Sequence, residues 1–389
     1  MADLSAVFVS ADIYESTFTP GITGSIVAVD DQNIISNLPI IGEEKVVFTF
    51  QTPTMESRTY NFTVAKATLQ TAATGLKAKT YTLEVVSDEV KTHKTTNIQK
   101  SYQNKQHSDM VSDIFKTYLK SSKNIHVQET MGMVNHWVTS LRPFEAIRNI
   151  ALRSVSSTDQ GSAFVFFENK LGFHFRTLED LIKNGEQTAI TYTYTNDQTV
   201  KTNIANKSFR NVIAFTIPQQ YDTVARLGKG ALGSQTQSFD WKTLAFNLAN
   251  NSIDPKQFIF AEAGALATGV FENLFKGKAG LNRFIPLDSS QPKTNIDKMI
   301  SKRDAYVADA TQTFLNLEVM GDSTLTAGQM ITANLISPDS ASGNRVQEPL
   351  VSGKFLVTNL RHIINPSGIK PRFTTAMECI KGSYKQGAQ

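Results

Sequence analysis

Trp137-Val138-Thr139-Ser140-Leu141-Arg142-Pro143-Phe144-Glu145-Ala146-Ile147-Arg148-Asn149-Ile150-Ala151 runs on through Ser156-Ser157 to Ala163-Phe164-Val165-Phe166-Phe167-Glu168 and Gly172-Phe173-His174-Phe175. Proline at position 143 suits the first turn of a helix, where its missing N–H costs nothing. Phe144, Ile147, Ile150 and Ala151 then fall on one face, with Arg142, Glu145, Arg148 and Arg153 mostly off it. A hairpin follows. Residues 163–167 form its first strand, Glu168-Asn169-Lys170 its turn, and Leu171, Phe173 and Phe175 alternate along its second strand. Upstream, Ser108 reads as an N-cap ahead of a stripe of Met110, Val111, Ile114, Phe115, Tyr118 and Leu119. Downstream, 178–182 fits a short helix. Helices and an aromatic hairpin in one stretch predict a compact α/β unit.

The flanks have a different character. Val46-Val47-Phe48-Thr49-Phe50 and Tyr60-Asn61-Phe62-Thr63-Val64 are β-rich, with Pro53 between them and a loop over 73–77. Tyr81, Leu83 and Val85 alternate with Thr80, Thr82 and Glu84, the period of a half-buried strand. No helical stripe interrupts the first hundred residues, so an antiparallel sheet or barrel is expected. After the α/β unit, Ile190, Tyr192 and Tyr194 alternate with threonines, and 211–217 is a strand ended by Pro218. Residues 219–292 are Gly-rich, with helices expected near 241–250 and 257–275, and read as an insertion. A helix from 296 to about 310 leads back to strands: Leu315, Leu317 and Val319 alternate, turns fall at Gly321-Asp322 and Ala327-Gly328, 354–364 is a long strand, and Phe373, Thr375, Met377 and Cys379 alternate. The two later β parts are expected to close one barrel around the insertion.

Composition narrows the function classes. With 389 residues the chain is long enough for more than one core. Hydrophobic residues at 40% and charged residues at 19% exclude a disordered tail. The formal charge of +4 is carried by Lys and Arg scattered among acids, which is no nucleic-acid footprint. A single cysteine, Cys379, closes neither a disulfide nor a Cys-based zinc site and fits assembly in a reducing compartment. No secretory signal is visible at the start. The longest apolar stretch, 258–270, contains Glu262, Gly264 and Gly269 and is too short and broken to span a bilayer. The expectation is a soluble protein made inside the cell, without membrane insertion.

No motif for chemistry survives its context. Gly228-Lys229-Gly230-Ala231-Leu232-Gly233 matches the dinucleotide-binding glycine pattern, with Asp254 about twenty residues on. That motif must close a strand and open a helix. Here the nearest strand ends well upstream and Ser234-Gln235-Thr236-Gln237-Ser238 shows no helical stripe, so a loop is expected. The histidines His93, His107, His126, His136, His174 and His362 show no spacing that sets two imidazoles on one helical face. No nucleophile elbow and no P-loop occurs. Cys379 has the alternating context of a buried, inert thiol. Glu43-Glu44, Asp30-Asp31 and Glu179-Asp180 read as solvated or capping pairs rather than glycosidase acids. Phe164, Phe166, Phe167, Phe173 and Phe175 read as core rather than a stacking platform. No catalytic, cofactor-binding or metal residue is assigned.

The chain resembles the baseplate central hub subunit of T4-like contractile phage tails. The likeness lies in the stretch quoted first, which is similar to the family's middle domain, and in two later passages. One covers 303–328, with Leu315-Asn316-Leu317-Glu318-Val319, Gly321-Asp322, Leu325 and Gly328. The other is Ser352-Gly353-Lys354-Phe355-Leu356-Val357, then Leu360-Arg361-His362, then 373–378. These resemble the β-barrel that hub proteins share with tail-tube proteins and with type VI secretion spike hubs. The resemblance implies an α+β fold with two antiparallel tail-tube-like barrels, a smaller α/β domain and a partly helical insertion. The barrels would take 1–98, and 190–218 with 311–384; the α/β domain 99–189; the insertion 219–310. It implies a non-enzymatic homotrimer that joins a threefold central spike to a sixfold tail tube and encloses a channel through which DNA passes without specific binding. Spike, tube, baseplate wedge and tape-measure proteins would be the partners, and the site of action a virion tail baseplate assembled in the host cytoplasm, with no cofactor. The competing readings are the hub of a tailocin or secretion-type machine, and a tail-tip cell-wall hydrolase.

Overall fold

The computed structural model describes residues 3–30, 42–52, 55–71, 79–159, 161–184, 190–194, 210–219, 222–230, 234–251, 265–266, 281–287, 296–335, 352–366, 372–381 and 384–385. Its first part is β1 (Phe8–Ser16), β2 (Thr23–Asp30), β3 (Lys45–Gln51), β4 (Ser57–Thr71) and β5 (Lys79–Ser87), paired antiparallel in the order β1-β2-β5-β4-β3. The alternation of apolar and polar residues decides what turns inward. Ala11, Ile13, Ile26, Tyr60, Phe62, Val64, Leu83 and Val85 form one core, against which Phe8, Phe48 and Phe50 pack.

The middle part holds α1 (Asp88–Thr95), β6 (Ile98–Lys105), α2 (His107–Ile114) with a π turn over Phe115–Leu119, β7 (Ile125–Val127), β8 (Val134–Leu141), α3 (Pro143–Ala151), β9 (Phe164–Asn169), β10 (Gly172–Thr177) and α4 (Leu178–Asn184). β6 pairs with β8, and β7-β10-β9 form a second small sheet. The apolar stripes of α2 and α3 meet the hairpin phenylalanines Phe164, Phe166, Phe173 and Phe175 in a single core. Pro143 does start its helix. The Arg142 N–H ahead of it donates to Glu145 at 3.2 Å, satisfying one of the first-turn donors.

The rest is β11 (Ile190–Thr193), β12 (Val212–Gln219), α5 (Thr223–Gly228), β13 (Ser234–Asp240), β14 (Ala245–Asn251), β15 (Ala265–Leu266), β16 (Leu281–Leu287), α6 (Ile296–Ala310), β17 (Thr313–Met320), β18 (Met330–Asn334), β19 (Gly353–Asn365), β20 (Arg372–Lys381) and β21 (Tyr384–Lys385). Pairing runs β12-β17-β20-β19-β18-β11. It returns toward its start where Thr193 lies in parallel register with Asn211 and its N–H donates to Arg210 at 3.1 Å. Ile190, Tyr192, Leu315, Leu317, Val319, Phe355, Val357, Met377 and Cys379 fill the interior of this ring of pairings. Between β12 and β17 in sequence, β13 is flanked by antiparallel β14 and parallel β16, with α6 tied to the small sheet by the Arg283–Asp304 ion pair.

The two β parts are not separate sheets. β1 pairs antiparallel with β19 from Ala11↔Ile364 to Ser16↔Asn359, so one hydrogen-bonded path runs β12-β17-β20-β19-β1-β2-β5-β4-β3.

Several local expectations change. The helix expected near 241–250 is instead the β13–β14 hairpin, whose turn is set by Asp240 accepting from the N–H groups of Lys242 (3.0 Å) and Thr243 (3.4 Å). Of the helix expected over 257–275, the described residues Ala265–Leu266 are strand, paired with β21; the others lie outside the described residues, as do Pro53 and the 73–77 loop. The first hundred residues are interrupted by α1. The N-cap of α2 is Gln106, and Ser108 sits one residue inside, where its N–H donates to Thr130 at 3.0 Å. The hairpin turn is Lys170-Leu171, with Glu168 and Asn169 still paired in β9. Pro218 lies within β12, whose register slips between Thr216 and Gln219 to accommodate it.

Gly328 locks the turn before β18 against the middle unit. Its φ is +84°, and a Cβ there would lie 2.8 Å from the Phe167 ring. Both backbone and space exclude a side chain. Gly328→Ala is expected to lower stability by about 1–3 kcal/mol, read as a lower urea midpoint at unchanged denaturant slope.

Candidate functional surface

The residues that point away from the interior of the long sheet form a shared outer face. Tyr14 on β1, Asn359 and Arg361 on β19, Ala376 and Glu378 on β20, Asn316 and Glu318 on β17, and Ala214 and Thr216 on β12 line one hollow of about 570 Å³. Five adjacent strands therefore present alternate side chains to a shared concavity, as the pleat requires. Of its charges, Arg361 and Glu318 are ion-paired, whereas Glu378 is hydrogen-bonded to a neutral amide. Arg361 grips Asp12 with two prongs, at 3.1 and 3.0 Å, and lies 5.5 Å over the Tyr14 ring. Arg372 pairs with Glu318. Glu378 accepts from the Asn359 amide at 2.6 Å.

Behind this face lies a buried polar network. Glu15, the residue after Tyr14, turns inward and pairs with Arg58 from β4; both side chains are fully buried. Arg58 also reaches the carbonyl of Leu325 at 2.5 Å and His362 Nε2 at 3.1 Å. Glu15 accepts from Tyr60 at 2.7 Å, Thr326 at 2.8 Å and the Ala327 N–H at 3.0 Å. Burial, then the neighbouring Arg58, hold His362 well below its ordinary pKa, so it stays neutral beside the guanidinium. Burial and the Glu15 charge push Tyr60 well up. The network fastens the first β part to β19 and to the turn before β18.

A second network fastens the middle unit. Glu168 accepts from Ser87 at 2.5 Å and from the Ile22 N–H at 3.1 Å, while Lys123 bridges Glu168 (2.6 Å) and Glu89 (2.7 Å). Burial raises Glu168 despite the opposing Lys123, whose own pKa is raised by its two carboxylates against the cost of burial. Farther along, Glu179 is held by the Ser162 N–H at 3.3 Å, its Oε2 has no hydrogen-bond partner, and burial, with Asp159 adding to it, pushes its pKa up to about 7.

The residues singled out in the sequence do not converge on one site. Gly228 ends α5, Lys229 and Gly230 form a turn, and Ser234 opens a strand, so no helix N-terminus faces a phosphate; residues 231–233 and Asp254 lie outside the described residues. Cys379 is fully buried and its thiol pushed up by burial. The five hairpin phenylalanines are all buried. Glu43 meets Lys91 at 3.4 Å on the surface, and Asp180 pairs with Arg176 at 2.5 Å. His93 accepts from the Phe144 N–H at 3.2 Å. The structure does bring histidines together in ways helical spacing does not reveal: His107 with His136 at 6.2 Å between ring centres, and His126 with His174 at 4.8 Å. Among the described residues no group of three or more His, Cys, Asp or Glu could hold a metal, and no helix is long and apolar enough to cross a membrane.

No family model and no curated protein matches the sequence. The fold does match solved structures. The crystal structure of the tail protein from Neisseria meningitidis MC58 overlays with a TM-score of 0.57 at 8% identity, covering 96% of this chain and 92% of that one. The 43 kDa tail protein of prophage MuSo2 from Shewanella oneidensis gives 0.55 at 9% identity, covering 96% and 94%. An E. coli type VI secretion component described as similar to T4 tail proteins gives 0.48 at 8%, covering 98% and 76%. The chain thus has a tail-protein fold, mostly antiparallel sheet with few helices, along nearly its whole length.

Two outcomes follow from the buried groups. Arg58→Met leaves the Glu15 charge without its cation and is expected to cost about 3–5 kcal/mol, while adding Glu15→Met restores much of that loss; equilibrium denaturation of the four proteins gives the coupling. Glu179, with its folded pKa raised, contributes stability that is full below its ordinary pKa of 4.5 and is lost as pH rises through about 7. Glu179→Gln is therefore expected to raise the melting temperature at pH 8 and to match the parent near pH 4.5.

Proposed function

We propose that the chain is a non-enzymatic structural subunit of a phage tail baseplate: a hub that assembles as a homotrimer, joins a threefold central spike to a sixfold tail tube and lines part of the channel. The observation that carries this reading is the single sheet path with two open ends. Among the described residues, β3 has no strand beyond it, and β12 has only the Thr193–Asn211 link. An open edge is a template for another strand and is normally covered.

The two ends match in pattern. On β3, Val46, Phe48 and Phe50 are half-covered while Lys45, Val47, Thr49 and Gln51 are exposed. On β12, Ile213, Phe215 and Ile217 are half-covered while Ala214 and Thr216 are exposed. Pairing β3 of one copy with β12 of the next would cover both apolar rows and continue the polar face around a ring. Such a head-to-tail contact closes when the rotation is cyclic. In this reading residues 1–98, and 190–218 with 311–384, act as two similar tube-like barrels, 99–189 as the middle domain and 219–310 as the insertion. Three chains then offer six barrels to a sixfold tube. The concave face, on which Arg361 and Glu318 are ion-paired, would be the channel wall past which DNA and a tape-measure protein move, and spike, tube and wedge proteins would be the partners in the virion.

Light scattering of the purified chain at micromolar concentration tests this. The expected mass is three times that of the chain. Phe48→Lys, which sets a charge in the apolar row of the edge, is expected to give monomers with an unchanged circular dichroism spectrum. A monomeric parent protein would sink the trimeric hub.

A further inference from the structure

A second, smaller cleft of about 120 Å³ lies where β7 and β10 face the turn at 326–329. One wall is a stack of three rings. His174 lies 4.9 Å from Phe167 at 14° and 4.8 Å from His126 at 16°. β7 and β10 run parallel with His126 in register with His174, so both imidazoles rise from the same face of the sheet.

The hydrogen bonds around Asn169 fix the tautomer of His174. The Asn169 amide nitrogen donates to the Ala327 carbonyl at 3.0 Å, and its Oδ1 accepts from the Leu171 N–H at 2.9 Å. The amide cannot be turned over without losing both bonds. Oδ1 is therefore the atom that meets His174 Nε2 at 2.8 Å, and Nε2 must carry the proton. Nδ1 is left with a bare lone pair. The residue is 3% exposed, and Nδ1 has no hydrogen-bond partner. A buried acceptor in that state costs about 1–3 kcal/mol. An imidazole at the wall of a cleft that gives one N–H to a carbonyl oxygen and keeps its other nitrogen without a partner is arranged as metal-binding histidines are.

We propose that His174 Nδ1 and His126 together bind a divalent transition-metal ion of the zinc, nickel and copper group at the seam between the middle unit and the last β part. Neutral imidazole suits these ions. Metal–nitrogen bonds of about 2.0–2.1 Å place two ligand nitrogens roughly 3.3 Å apart, so the His126 ring, which is exposed, must turn toward its neighbour. Exposed side chains change rotamer freely. The cleft is large enough for about four waters at ~30 Å³ each, and these complete the coordination. Arg176 also lines it, but its guanidinium is paired with Asp180 at 2.5 Å. An ion bound there cross-links β7 to β10 beside the turn that carries Gly328. Because it binds only the folded chain, it raises stability by mass action.

The test uses the full chain without a purification tag, titrated with ZnCl₂ or NiCl₂ in a calorimeter and followed by thermal unfolding. One ion per chain is expected to bind, raising the melting temperature in a way that EDTA reverses. His126→Ala, at an exposed position, is expected to weaken binding about tenfold or more, and His174→Gln to abolish it. His136→Ala, away from the cleft, leaves binding unchanged. Absence of saturable one-per-chain binding in the parent overturns the proposal. So does a parental affinity in His126→Ala, which would locate the ion elsewhere.

Discussion

The pairing of β1 with β19 is the constraint on which the rest of the molecule depends. It makes one sheet of two β parts lying at opposite ends of the sequence, and it is reinforced on both faces. On the concave face Arg361 and Asp12, 349 residues apart, close the joint with a bidentate ion pair. On the buried face Glu15 and Arg58 are sealed from water, and their desolvation is offset by bonds to Tyr60, Thr326, Ala327, Leu325 and His362. A buried pair of this kind adds little net stability compared with apolar residues of the same size. What it does is penalise misalignment: a slip of β1 by one residue would expose Glu15 and bury Tyr14. The register that continues the polar face across both β parts is thus the one that pairs buried Glu15 with Arg58.

The middle unit docks onto this frame by polar contacts as well as apolar ones. Glu168 accepts directly from the Ile22 N–H and Ser87, at the junction of the first β part with α1, and Lys123 links it to Glu89. Gly328 sits against Phe167 from the other side. The hairpin β9–β10 therefore touches both β parts: its six-residue strands carry Phe164, Phe166, Phe173 and Phe175 on one face, with Glu168 at its end, and Phe167, Asn169 and His174 on the other.

What was legible in the sequence follows from the range of each signal. Strands such as β5, β17 and β20 were readable because an alternation of buried and exposed residues is written into adjacent positions. Pro143 and the stripes of α2 and α3 were readable for the same reason. Trp241, Leu244, Phe246 and Leu248 misled because their spacing also fits a helix, and because they are exposed in the structure, where no core enforces a period. Asp240 was the overlooked turn signal. The helix α1 was hidden by its length of eight residues, although Asp88 and Glu89 stand in its first turn. The β1–β19 joint, the Glu15–Arg58 network and the His126–His174 stack join residues far apart in sequence, and no local pattern encodes them. The likeness to tail hubs reached the mostly antiparallel tail-protein fold because it compared long stretches rather than single elements.

The electrostatics of the concave face give the channel reading its physical content. A wall for passing nucleic acid must hold water and polar groups, yet each unpaired cation would bind a phosphate and slow passage. A wall of bare carboxylates would instead repel the polymer from a narrow bore. Arg361 with Asp12, and Arg372 with Glu318, place opposite charges within one hydrogen bond of each other, so their fields fall off as dipoles. Asn359 and Asn316 add neutral polarity between them. The small positive surplus of the whole chain therefore need not reach this surface, and the distribution of charge, not its sum, decides how the face meets a polyanion.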